Sequence, residues 1–170
     1  MITLSLALIC LGIATGLLVA LSVIDLQVRL LPDRLVLPFG ILAIIFHSVT
    51  TFHFATPPDM AMGAVFGGGI LYGIRFVANR IYQQDTLGLG DVKLMLAAGL
   101  WLGPEGVLMA LTLGAAAGLM HGLGTALGQT IFRKQPFSLS RLEVPAGPGF
   151  AVGIALVALY KFNTLFTVMG

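Results

Sequence analysis

Residues 3–26 read TLSLALICLGIATGLLVALSVIDL, and the first charged residue of the chain, Asp25, stands almost at the end of that run. A helix needs about 20 consecutive apolar residues to cross the hydrocarbon core of a bilayer. No basic stretch precedes the run, so it reads as a retained membrane helix and not as a cleaved secretory signal. Five further apolar runs follow, at 34–54, 60–82, 90–103, 105–131 and 147–167. The fourth is short for a span, and it is entered through Leu87-Gly88-Leu89-Gly90-Asp91. The connection 133–146 is the longest and the most polar. The expected fold is an all-α polytopic membrane protein with six transmembrane helices, forming one domain over 1–170.

Composition agrees with that expectation. Of the 170 residues, 58% are hydrophobic and 9% are charged, and the mean hydropathy is +1.01. A soluble domain carries about 25% charged residues, so a water-facing surface is excluded. Disorder requires low hydrophobicity, and a transmembrane barrel requires alternating segments of ~10 residues. Neither pattern is present. The formal net charge of +2 reports topology in such a chain, and no nucleic-acid partner is expected. Arg29 and Arg34 follow the first run; Arg75, Arg80 and Lys93 surround the third connection; Arg133, Lys134 and Arg141 lie in the fifth. Eight of the nine basic residues therefore fall on one side, and only Lys161 falls toward the other. The positive-inside rule makes that side cytoplasmic and puts both termini outside. Glycine pairs four apart (Gly12/Gly16, Gly63/Gly67, Gly69/Gly73, Gly114/Gly118 and Gly149/Gly153) predict close helix packing. The single cysteine, Cys10, allows neither an internal disulfide nor a cysteine-based zinc site.

Two acids stand apart from the rest. Asp25 closes an uncharged run and is followed by Leu26 and Val28; an acid at membrane depth is costly and marks function by default. Asp91 follows Gly88 and Gly90 and precedes the apolar run 94–103. The two glycines permit close approach by another segment, while an Asp at a helix start also serves as an ordinary cap. Topology puts Asp25 and Asp91 on the same side. Asp59, Asp85, Glu105 and Glu143 read as loop charges.

Two neighbouring carboxyls cannot both ionise cheaply, so they share a proton and titrate as a pair. The ionised member serves as general base on a water, and the protonated member hydrogen-bonds a scissile carbonyl. Such a pair suits peptide hydrolysis without a metal or cofactor. The histidines, His47, His53 and His121, are scattered, and neither HExxH nor G-x-S-x-G occurs. Ion-pathway acids in a non-enzymatic membrane protein are the alternative reading.

Gly88-Leu89-Gly90-Asp91 forms a GxGD pattern, which resembles the mark of intramembrane aspartyl proteases. Val92-Lys93-Leu94 after it, Ile24-Asp25 with Leu31-Pro32-Asp33 before it, and the late Pro145-Ala146-Gly147-Pro148 together resemble type IV prepilin peptidases. The resemblance implies that Asp25 and Asp91 are catalytic. It implies supporting roles for Asp33, Gly88, Gly90, Lys93, Pro145, Gly147 and Pro148. It implies a bacterial inner-membrane enzyme whose active site faces the cytoplasm. The implied substrates are prepilin or pseudopilin precursors, cut between a short basic leader and an apolar helix. Longer members carry an N-terminal tetracysteine zinc domain and many methylate the new amino terminus. This chain resembles the short form of Flp/Tad-type systems, for which N-methyltransferase activity is not expected. A presenilin-like GxGD protease is the alternative within the same chemistry, but no Pro-Ala-Leu element is present.

Overall fold

The computed structural model describes residues 2–28, 30–84, 87–133, 146–165 and 167, with side chains 126–133 left aside. These residues form five helices: α1 Ile2–Val28, α2 Asp33–Val49, α3 Pro57–Tyr82, α4 Leu89–Arg133 and α5 Gly147–Phe162. No strand occurs among them, as the lack of alternating segments predicts. Pro145 and the charged residues Arg29, Asp85, Lys134, Arg141 and Glu143 lie outside the described residues.

The expected fourth and fifth helices run on as α4, but the axis breaks at Gly103, where φ is 69° and ψ −176°. That backbone conformation is open essentially to glycine alone, and Pro104 next to it lacks the N–H that would continue the ladder. Two rods result, 89–102 and 104–133. The second runs antiparallel to α5, because Gly106 approaches Val157 while Gly114 and Gly149 approach each other further along. The ammonium of Lys161 donates to the Leu102 carbonyl at 2.7 Å and so occupies an acceptor freed at the bend.

Helix ends follow local chemistry. Thr56 and Asp59 form a reciprocal capping box ahead of Pro57, so Asp59 is a helix cap and not merely a loop charge. The second helix stops at Val49, short of the expected 54, where Thr51 and Phe52 take positive φ. Helix α5 ends at Phe162 in a turn at 163–164, and Leu165 and Thr167 beyond it are again helical, toward the expected 167.

Packing divides the glycine pairs. Along α3, Gly63 and Gly67 lie against the backbone of Gly99, Gly103 and Met95, with no room for a Cβ. Gly114 and Gly153 make the corresponding crossing between α4 and α5. Gly12, Gly16, Gly69 and Gly73 have open space where a Cβ would sit, so these two pairs do not pack helices within the chain as expected. A buried aromatic group joins α2, α4 and α5: Phe39, Phe46, Trp101 and Phe162, with His47 among them. His47 Nε2 lies 3.1 Å from the Trp101 carbonyl, and Trp101 Nε1 donates to the Phe39 carbonyl at 2.9 Å. His47 is thus a packing residue of the core.

By length and composition, α1, α3 and the stretch Leu89–Thr125 are each able to cross a membrane, and Gly147–Phe162 is a shorter apolar helix. The exposed surface is rich in Leu, Ile, Val and Phe. Such a surface suits lipid and not water.

Candidate active site

The C-terminal end of α1, the start of α2, the start of α4 and the start of α5 converge at one end of the bundle. Asp25 arrives there as the last member of the buried stripe Ala7, Cys10, Ala14, Leu18, Leu21 on α1. The spacing of three and four residues keeps that stripe on one helix face, so the interior packing that buries the apolar members also carries the carboxyl inward. Asp25 is only 4% exposed. The Gly147 N–H donates to Asp25 Oδ2 at 3.0 Å. Gly147 opens α5, where N–H groups lack helical acceptors, and a helix N-terminus favours a negative charge. A Cβ on Gly147 would meet Asp25 Oδ2 at 2.6 Å. Glycine is thus required there for the carboxylate to reach the backbone. Pro148 follows within the first turn, a position where its missing N–H costs nothing.

Asp91 sits in the first turn of α4 and is 6% exposed. Its Oδ1 is buried and has no hydrogen-bond partner among the described residues. A simple capping role leaves no reason for such an orphaned oxygen. The Asp25 carboxyl is within electrostatic reach of Asp91. The structure therefore brings together the two acids that the sequence singled out.

Both glycines of the Gly88–Gly90 pair serve this placement. Gly88 lies under Asp91, whose Oδ2 would be 3.2 Å from a Cβ there. At Gly90 a Cβ would meet the Leu31 Cβ at 2.8 Å, so the glycine lets the connection between α1 and α2 lie across the start of α4. The Arg75 guanidinium donates to the Leu87 carbonyl and fixes the approach to the motif from α3.

Asp33 is not drawn into the pair. It opens α2 and forms a salt bridge with Lys93, whose Nζ lies 2.8 Å from Oδ1 and 2.7 Å from Oδ2. Both side chains are about half exposed, at 55% and 50%. The ion pair clasps the start of α2 to the first turns of α4 at the mouth of the site. The sequence marked both residues but gave no signal that they pair, since 60 residues separate them. It likewise marked Gly147 without indicating that its N–H would hold Asp25. Leu31 was quoted only as part of the Leu31-Pro32-Asp33 element and given no role, and only the glycine at Gly90 hinted at a close neighbour.

No group of three or more His, Cys, Asp or Glu side chains gathers as metal ligands among the described residues. The arrangement at this end of the bundle is two buried carboxyls, one held by a backbone N–H and the other with an unsatisfied oxygen. Such a pair is equipped to hold and pass a proton beside a polarised carbonyl.

Residues 4–123 match the type IV leader peptidase family. That match takes in Asp25, Asp33, Gly88, Gly90, Asp91 and Lys93, and it ends before Gly147. The prepilin leader peptidase/N-methyltransferase of Aeromonas hydrophila is 31% identical over 138 residues, which is 81% of this chain and 44% of that protein. The protein of the same name from Escherichia coli strain K12 is 31% identical over 133 residues, 78% of this chain and 55% of its own length. That of Burkholderia pseudomallei strain K96243 is 34% identical over 164 residues, 94% of this chain and 48% of its own length. The chain spans about half the length of these curated relatives. No solved structure matches.

Proposed function

Because the chain belongs to the type IV leader peptidase family, we propose that it is an intramembrane aspartyl endopeptidase that removes the short basic leader from prepilin or pseudopilin precursors. The observation that carries the reading is the burial of two carboxyls within electrostatic reach of each other, Asp25 from α1 and Asp91 from α4, at one end of an apolar bundle. That end also carries Arg34, Arg80 and Lys93, which supports placing it at the cytoplasmic face of a bacterial inner membrane. Six spans with both termini outside complete the proposed topology.

The chemistry follows from one proton shared by two carboxyls. The ionised member takes a proton from water as the water oxygen adds to the scissile carbonyl carbon. The protonated member hydrogen-bonds the carbonyl oxygen and stabilises the charge that develops on it. Collapse of the tetrahedral intermediate breaks the C–N bond, and the departing nitrogen takes a proton from the pair. The products are a leader with a free carboxylate and a pilin with a new amino terminus. In this scheme the Gly147 N–H orients Asp25, and the glycines at 88 and 90 set the backbone near the substrate. Asp33 and Lys93 hold the mouth of the site in shape.

Co-expression with a tagged prepilin tests the reading by precursor size on a gel. Wild type and Asp33→Asn are expected to shorten the precursor. Asp25→Asn and Asp91→Asn are each expected to leave it intact while still inserting into the membrane. Normal processing by either of these last two variants removes the proposed dyad. An intact precursor beside wild type, with a control peptidase active, removes the proposed substrate.

A further inference from the structure

An apolar groove of about 660 Å³ runs between α1 and α5, floored by Phe39 and Trp101. Its α1 wall extends from Leu8 to Val23, sixteen residues or ~24 Å of helix at 1.5 Å per residue. Two hydroxyls on that wall are turned back into their own helix. Thr15 Oγ1 donates to the Leu11 carbonyl and Ser22 Oγ to the Leu18 carbonyl, each at 2.8 Å. On the α5 wall, Ala151, Ala155 and Ala158 keep the surface low, as small residues do where helix backbones approach closely.

The groove runs toward Asp25. Leu11 and Leu18 line it, and Asp25 is the next residue at the same seven-residue step, on the same face of α1. Ala151 lines the other wall, and Gly147, whose N–H holds Asp25, lies one turn before it. The two walls therefore stop, at Val23 and Ala151, within about one helical turn of the same hydrogen bond.

We infer that this groove is the docking site for the precursor's own apolar helix, seated between α1 and α5 with its leader-proximal end at Asp25. The inference rests on the proteolytic reading above. A peptide bond presented to Asp25 from inside the bilayer must continue into an apolar, hydrogen-bonded segment, because a spanning chain satisfies its backbone only as a helix. The groove supplies a trough of matching polarity that starts about one helical turn from the carboxyl and has the length of most of a span. Asn163, beyond the end of α5 remote from Asp25, is the one lining side chain whose polar group is not given to a backbone carbonyl, and the apolar remainder fits an occupant recognised by shape, with sequence read only near the cut.

Site-specific photocrosslinking tests this in membranes that contain the full-length protein and a tagged prepilin precursor. Benzoylphenylalanine is placed singly at Val19 or Leu159, both groove-lining and both exposed, and at Val65 on α3 as a control. Asp91→Asn in the same chain keeps the precursor uncut, and wild-type cleavage is followed in parallel. Precursor adducts at Val19 and Leu159, at least tenfold stronger than at Val65, are the expected result. Cleavage by wild type with adducts only at Val65, only to lipid, or only to a second copy of the chain would overturn the groove and leave the proteolytic reading standing. Absence of both cleavage and adducts overturns the two together.

Discussion

At the scale of single residues, the site depends on atoms that are missing. Gly147 offers a backbone N–H because it has no Cβ, and a methyl there would lie 2.6 Å from Asp25 Oδ2. Gly147→Ala is therefore expected to displace the carboxyl and slow precursor cleavage by about 10²-fold, the scale of loss for a misplacement near 1 Å. A time course of precursor shortening in isolated membranes checks this, with membrane insertion unchanged. The Asp33–Lys93 pair belongs to a different energetic class. Its side chains are half exposed, and ion pairs in water contribute ~0.2–1 kcal/mol. Asp33→Asn and Lys93→Gln are each expected to lower stability by less than about 1 kcal/mol. A double-mutant cycle of thermal unfolding in detergent measures the coupling, which should shrink as salt is raised.

At the scale of helices, the bend at Gly103 and the crossing at Gly99 carry the architecture. Gly103→Ala forces a Cβ onto φ 69° and ψ −176°, at an expected cost of ~1–3 kcal/mol. Gly99→Ala drives a methyl into the Gly63 backbone, whereas Gly12 has open space around it. Thermal unfolding should accordingly rank Gly99→Ala well below Gly12→Ala. The sequence made much of this level legible. The apolar runs locate every helix to within about five residues, and the division between the runs 90–103 and 105–131 falls at the bend, where Gly103 and Pro104 act locally. Membrane depth and local glycines also picked out Asp25 and Asp91. Partners distant in the chain were not legible. Nothing near Gly147 says that Asp25 will bond it, nor does α2 announce that His47 will dock on the Trp101 carbonyl. Glycine pairs four apart looked alike in sequence, yet only some meet another helix. The pattern states what a helix face permits, and the neighbours decide what it meets.

At the scale of the whole molecule, orientation and metal dependence are open to direct measurement. In a Cys10→Ala background, a membrane-impermeant maleimide applied to intact cells should label Thr51→Cys and Glu105→Cys. Arg34→Cys and Arg80→Cys should react only after the membrane is opened. The reverse pattern would invert the proposed topology. Chelator treatment is expected to leave cleavage unchanged, and a loss restored by added zinc would contradict the metal-free dyad. The bond between Asp25 and Gly147 has a further consequence, which concerns the order of synthesis. Its two ends are 122 residues apart, on the first helix made and on the fifth. At ~5–20 residues per second, Asp25 precedes its partner by roughly 6–24 s. During that interval the nascent chain holds a carboxyl in the bilayer without the backbone group that orients it. A chain ended after Arg133 should therefore insert but cut nothing, and on the proposed function the half-made chain is expected to be inert toward the precursors synthesised around it.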